Sequence, residues 1–333
     1  MRGMRDIIII AHRGASGERP EHTLASYERA INQGADFVEP DLVLTKDGVL
    51  VARHENEISS TTDVADRPEF AERKTTKTID NQQITGWFTE DFTLVELKTL
   101  RARERLPQLR PGNMRFDGLY TIPTLAEIIR LVRAKEAETG RVIGLYPETK
   151  HPSYFASIGL PFEERLVKQL HEAGYRGPDA PVYIQSFEVG NLQQLDGITD
   201  IRLVQLIHPE VPTPYDRPDL RYTDMVKLEG LAAIGSYADG IGPGKSFVIP
   251  RSVDGRLDRP TTLVADAHAV GLKVHPWTMR RENIFLPAEF RSGDNPADAG
   301  DVQAEIRAFV AAGVDGVFSD NVTEVVFAID QAE

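Results

Sequence analysis

Ile7-Ile8-Ile9-Ile10-Ala11-His12-Arg13-Gly14 is the stretch on which the fold turns. Four consecutive isoleucines read as a strand buried on both faces, and the run ends in two ionisable groups. Phe37-Val38-Glu39-Pro40-Asp41-Leu42-Val43 repeats the pattern with paired carboxylates. Buried strands that deliver charged groups at their C-terminal ends are how a (β/α)-barrel builds an active site. Glu39 and Asp41 lie two residues apart, so on an extended chain both face the same way.

Working outward, apolar strand-like runs alternate with helical periodicity along most of the chain. Strands are expected near 7–12, 37–44, 142–146, 182–185, 202–207, 240–241, 273–276 and 316–319. Helices are expected near 23–34, 125–138, 162–173, 189–195, 224–234, 261–270, 301–312 and 322–329, with Gly34 as the stop of the first. Lys46-Asp47-Gly48 reads as a hairpin turn, and 49–54 as a short returning strand. Eight strands in βα order predict an α/β TIM (β/α)8 barrel. No Gly-x-Gly-x-x-Gly turn follows the first strand, which disfavours a dinucleotide fold. Residues 56–120 are polar and lack the barrel rhythm. They read as an insertion into an otherwise single domain spanning 1–333, forming a small cap beside the barrel mouth after the second strand.

Composition narrows the chemistry. The chain has 333 residues and a formal net charge of −13, so nucleic acid is excluded as the expected partner. The absence of cysteine removes disulfides, thiolate ligands and a thiol nucleophile. No apolar run is long enough to span a membrane, and no apolar signal core precedes the first strand. The expectation is therefore a cytoplasmic protein as the sequence stands, or a periplasmic one if an export signal was trimmed, without stable membrane insertion. Oligomeric state is not legible.

The strand ends collect a coherent set of residues. Glu39, Asp41 and Glu148 offer oxygen donors only, which suits a hard divalent cation such as Mg²⁺ or Ca²⁺. The same carboxylates also serve as ordinary strand-end ion pairs. His12 and His54 each follow an apolar strand on the carboxylate side, placed to divide general-acid and general-base work or to sit as satisfied buried histidines. Arg13 and Lys150 suit phosphate recognition or plain ion pairing with the acids. Phe187 and Trp277 serve as pocket walls or as packing. His22, His151, His171, His208, His268 and His275, taken singly, read as structural or solvent-facing. Ser186 lacks a Gly-x-Ser-x-Gly elbow, so a serine hydrolase is disfavoured.

These residues resemble those of the glycerophosphodiester phosphodiesterase family. Ala11-His12-Arg13-Gly14-Ala15-Ser16-Gly17 followed by Pro20-Glu21-His22-Thr23 resembles the family's opening block. Glu39-Pro40-Asp41, Thr45-Lys46-Asp47-Gly48, His54-Glu55 and Tyr146-Pro147-Glu148-Thr149-Lys150 are similar to the next ones. Gln185-Ser186-Phe187, 237–243, Val274-His275-Pro276-Trp277-Thr278 and Gly316-Val317-Phe318-Ser319-Asp320 resemble the later ones. Thr62-Asp63-Val64-Ala65-Asp66 points to the bacterial periplasmic-type branch. The resemblance implies a TIM barrel with a cap and a divalent metal, Ca²⁺ or Mg²⁺, on Glu39, Asp41 and Glu148. It further implies that His12 and His54 are the acid/base pair, with Arg13 and Lys150 on the phosphate. The reaction it implies is hydrolysis of deacylated glycerophosphodiesters to sn-glycerol 3-phosphate and an alcohol. Three departures stand out: Glu55 where the family often has Asp, Thr149 within the third block, and Met279-Arg280-Arg281 before Asn283. Two other readings stay open at this stage: a phospholipase D-like enzyme acting on intact or lyso-phospholipids, and a non-catalytic phosphodiester-binding barrel.

Overall fold

The computed structural model describes residues 7–331. Thirteen strands occur among them: β1 Ile8–Ala11, β2 Phe37–Val38, β3 Asp41–Leu44, β4 Leu50–Ala52, β5 Thr75–Ile79, β6 Gln82–Gly86, β7 Gly144–Leu145, β8 Glu148–Thr149, β9 Tyr183–Ser186, β10 Arg202–Ile207, β11 Gly240–Pro243, β12 Lys273–Val274 and β13 Gly316–Ser319. The barrel wall runs β1, β2/β3, β7/β8, β9, β10, β11, β12, β13 and back to β1, all pairs parallel. The last gap closes through Asp315 N donating to Val274 O and Phe318 N donating to Pro276 O.

One expected strand is split and another runs on past its expected end, each at a proline. Pro40 interrupts 37–44, and beyond the expected 142–146 the third strand resumes after Pro147 as Glu148–Thr149. Proline has no N–H to give the ladder, but its carbonyl still accepts. Glu148 N donates to Pro40 O and Gln185 N to Pro147 O, so the wall continues across both breaks. The expected helix at 224–234 is likewise two shorter ones, Tyr222–Met225 and Leu228–Ile234.

The barrel is filled by Ile8, Ile10, Phe37, Tyr146, Tyr183, Val204 and Phe318. Gly144 leaves room for this filling, because a Cβ there would meet the Phe37 ring at 2.1 Å. A larger apolar layer, including Ile9, Val38, Leu42, Leu125, Ile128, Ile129 and Val317, packs the outer strand faces against the helices. The first helix, Leu24–Gln33, is capped by the Thr23 side chain and stopped by Gly34 at φ 107°, a conformation glycine adopts without steric cost.

The hairpin after Asp47-Gly48 forms as β3 and β4 pair antiparallel. Beyond it, residues 56–120 form 3-10 turns, the β5–β6 hairpin and one short helix, Leu94–Leu97. Asp80 and Asn81 at the β5–β6 turn both have positive φ, as a two-residue hairpin turn demands. No helix of the described residues is long and apolar enough to cross a membrane.

Candidate active site at the barrel mouth

Register brings the acids together. Asp41 of β3 pairs with Glu148 of β8, and Glu148 with Gln185 of β9, so three neighbouring strands present polar side chains at one level. Glu39, two residues before Asp41, joins them, and one carboxylate oxygen from each of Glu39, Asp41 and Glu148 lies within 4.8 Å of the others. All three are buried. Gln185 Nε2 donates to Glu39 Oε1 at 2.7 Å, and the Arg13 amide donates to Glu39 Oε2 at 3.0 Å.

The electrostatics of this cluster are those of crowded anions. Burial, then the charges of Asp41 and Glu148, push the Glu39 carboxyl well above its ordinary range. Burial lifts Glu148 to about 7 against the pull of Lys150, and the charge of Asp41 adds to the rise. Burial would raise Asp41 as well, but His22 and Arg13 hold it below the usual carboxylate range. Asp41 Oδ1 is buried and has no hydrogen-bond partner. An orphaned buried oxygen beside two partly neutralised carboxylates, with no sulfur donor nearby, fits a hard divalent cation, and the cluster can bind one.

Both histidines line the same cavity, of about 310 Å³, with Arg13, Glu39, Glu148, Lys150, Phe187 and Trp277. His12 Nδ1 donates to Asp320 Oδ1 at 2.6 Å, and His54 Nδ1 contacts the Glu55 carboxylate. An ionised carboxylate can only accept, so each Nδ1 carries the proton and each Nε2 is left as an acceptor. His12 Nε2 lies 4.0 Å from Glu39, and His54 Nε2 lies 3.3 Å from Lys150 Nζ. Burial and the charge of Arg13 lower His12 to about 4 despite Asp320. Burial, Arg13 and Lys150 hold His54 well below its ordinary value. Both rings are therefore neutral near pH 7.

Every residue expected to carry chemistry converges here, and both cations are ion-paired with the acids. Lys150 Nζ donates to Glu148 at 2.8 Å, while Arg13 Nε lies 3.4 Å from Asp41 and Arg13 Nη1 donates to Glu21 at 3.1 Å. Arg13 takes φ 60°, a left-handed conformation uncommon outside glycine, and Gly14 follows at φ 88°. A Cβ on Gly14 would meet Ser26 Oγ at 2.4 Å, so this turn tolerates only glycine.

Several contributors lie outside the residues expected to carry chemistry. His22, read as structural, is fully buried with Nε2 3.0 Å from Asp41 Oδ2, which makes it a support of the acid cluster. His208 faces the cavity, its ring 5.8 Å from Phe187 and 5.6 Å from Trp277. His275 is inside the barrel instead, bonded through Nδ1 to the Tyr146 hydroxyl at 2.8 Å. From residues 56–120, Arg105 grips Glu21 and Glu55, each at 2.7 Å. Arg110 grips Glu282 at 2.6 Å and Asp320 at 2.5 Å. Asp320, set among strand-end residues by its place in the chain, is held well below the usual carboxylate range: burial opposes this, but Arg280, Arg110 and His12 outweigh it.

A TIM barrel with a buried carboxylate cluster, two carboxylate-held imidazoles and flanking cations defines a class of metal-assisted phosphoryl-ester hydrolase. Comparison with known proteins agrees and is more specific. The profile of the Glycerophosphoryl diester phosphodiesterase family matches residues 12–324. A glycerophosphodiester phosphodiesterase of Arabidopsis thaliana is 38% identical over 93% of this chain and 82% of its own length. A glycerophosphodiester phosphodiesterase of Haemophilus influenzae is 31% identical, over 95% of this chain and 87% of its own. A phosphodiesterase of Oleispira antarctica, solved in complex with the product sn-glycerol-3-phosphate, superposes with a TM-score of 0.61 at 23% identity, covering 97% of this chain and 96% of the other. The chain belongs to the glycerophosphoryl diester phosphodiesterase family and is a phosphodiester hydrolase.

Proposed function

We propose that this enzyme hydrolyses deacylated glycerophosphodiesters, such as glycerophosphocholine and glycerophosphoethanolamine, to sn-glycerol 3-phosphate and the alcohol, with His12 and His54 as the acid/base pair. The observation that carries the assignment is the matched tethering of the two imidazoles: each has Nδ1 on a carboxylate and so offers Nε2 to one cavity. One neutral imidazole takes the proton of the attacking water, or of the neighbouring glycerol hydroxyl through a cyclic diester. The other, protonated once the anionic substrate offsets Arg13 and Lys150, gives its proton to the departing alcohol oxygen. Arg13 and Lys150 bind the phosphate oxygens, and Phe187 and Trp277 wall the substrate.

Glu39, Asp41 and Glu148 would hold one divalent ion, Ca²⁺ or Mg²⁺, which when bound neutralises phosphate charge and lowers the nucleophile's pKa. The cap formed by residues 56–120 is part of the same domain and braces the histidines' carboxylates through Arg105 and Arg110. The run 62–66 supports a place in the bacterial periplasmic-type branch. An intact phospholipid substrate and a non-catalytic barrel have no comparable observation in their favour.

The test is release of sn-glycerol 3-phosphate in a coupled assay on glycerophosphocholine, with chelator-stripped protein and added Ca²⁺ or Mg²⁺. Turnover restored by one of these ions supports the reading. Undiminished turnover in chelator would sink its metal part, and equal turnover by His12→Ala would sink the acid/base assignment.

A further inference from the structure

A second cavity of about 400 Å³ opens beside the catalytic one and shares Glu148, Lys150, Phe187 and His208 with it. Its far walls come from the β5–β6 turn at Asp80, the segment 149–152 and the segment 208–222 that follows β10. It is therefore placed to receive whatever is attached to the phosphate on the side away from His12.

Its chemistry is that of an ammonium site. Phe187, His208, Tyr215 and Tyr222 supply aromatic surface, and Pro152, Val211, Pro214 and Pro218 supply apolar surface. The Phe187 ring already takes the Lys150 ammonium at 5.7 Å from its centroid. Besides Glu148, two carboxylates lie in the wall, and neither is ion-paired with a Lys or Arg of the described residues. Glu188 accepts from the Ser153 amide at 3.1 Å and from its hydroxyl. Asp80 uses Oδ2 on His151 at 2.6 Å, while its Oδ1 is buried without a hydrogen-bond partner. No arginine lines the cavity, and Lys150 is engaged by Glu148. An anionic head group would meet carboxylates, and a polyol would find hydroxyl and amide partners such as Asn81, Gln82 and Thr213 but would leave the aromatic faces unused. A methylated or primary ammonium finds both aromatic faces and negative charge.

We propose that the cavity between Asp80, Glu188 and Tyr215 is the subsite for the departing alcohol and selects one that carries an ammonium group. This rests on the hydrolytic reading for the direction in which the substrate lies, but the binding preference can be measured without turnover. Choline and its uncharged carbon isostere 3,3-dimethylbutan-1-ol are titrated into the full-length protein and followed by ligand-observed NMR. Choline should bind about tenfold more tightly, the scale of a desolvated cation–π contact, and Asp80→Asn and Tyr215→Ala should each remove most of that advantage. A parallel measurement compares kcat/KM for glycerophosphocholine with that for glycerophosphoglycerol. The same two variants should lower the first several-fold and leave the second within about twofold. Choline saturation without turnover of either ester would support the subsite and overturn the hydrolytic reading. Equal binding of choline and its isostere, or variants that lower both esters alike, would overturn the subsite.

Discussion

His12 sits where burial and charge oppose each other. Its ring is buried beside Arg13, and its hydrogen bond to Asp320 orients it and partly offsets the pressure to stay neutral. A neutral imidazole is ready as a base, so its removal should be felt in the chemical step. His12→Ala should lose about 10²–10⁴ in kcat with an unchanged circular dichroism spectrum. A kcat within a few-fold of the parent would contradict the role. Glu39→Gln keeps the shape of the acid cluster and removes one charge. Weaker divalent-ion binding by calorimetry is expected, together with a higher metal concentration for half-maximal activity. Both residues are legible in the sequence, because an apolar run ending in a charged group at a strand's C-terminal end is a local pattern. Asp320 is equally close to a strand end, but its function depends on His12, 308 residues away. No local pattern carries that.

At the level of elements, the barrel strands and the β3–β4 hairpin hold the proposed acid/base and ion-binding groups, and residues 56–120 hold arginines that support them. Arg105 ties Glu21 to Glu55, and Arg110 ties Glu282 to Asp320, so each histidine's carboxylate is fixed by an arginine from outside the wall. Arg110→Ala should leave KM for glycerophosphocholine nearly unchanged while lowering kcat about tenfold or more, because Asp320, left with Arg280 alone, fixes the His12 tautomer less firmly. The pH–rate profile should shift with it, which simple loss of packing would not produce. A variant in which KM rises and kcat is kept would show that Arg110 acts on binding instead. The strand and helix alternation is readable from the two periodicities in the chain, whereas the break at Pro40 and the resumption of the third strand after Pro147 are not drawn by the apolar pattern. Residues 56–120 show no periodicity, since their turns, hairpin and single short helix are too brief to set a repeat, so the partners of their arginines stay hidden.

Across the whole molecule, burial of ionisable groups makes stability depend on pH. His275 lies inside the barrel with a pKa lowered to about 4 by burial, against an ordinary 6.5. A histidine lowered on folding binds more protons when unfolded, so its contribution is present above pH 6.5 and is lost as pH falls toward 4. Between pH 7 and pH 5 this one residue should cost about 2 kcal/mol of stability. Urea unfolding at both pH values, in the parent and in His275→Asn, should show a pH-dependent loss smaller by about that amount in the variant. An identical loss in both proteins would refute the assignment. Glu148 works in the opposite sense: its pKa is raised on folding, so its unfavourable contribution grows as pH rises from about 4.5 to 7 and is relieved by acid. The comparison between variants isolates His275 from it.

The order of apolar runs, the charged residues that end them and the lack of cysteine already define a barrel that presents His12, His54, Glu39, Asp41 and Glu148 at one rim. This follows because strand direction and the two-residue repeat of side chains are local properties of a chain. Contacts between distant segments are not. The Asp41–Glu148–Gln185 register, the arginine clamps on Glu55 and Asp320, the place of His275 inside rather than at the mouth, and the cavity between Asp80 and Tyr215 arise only when the wall closes. They depend on which surfaces meet across tens to hundreds of residues, and a long-range encounter leaves no periodic trace in either partner.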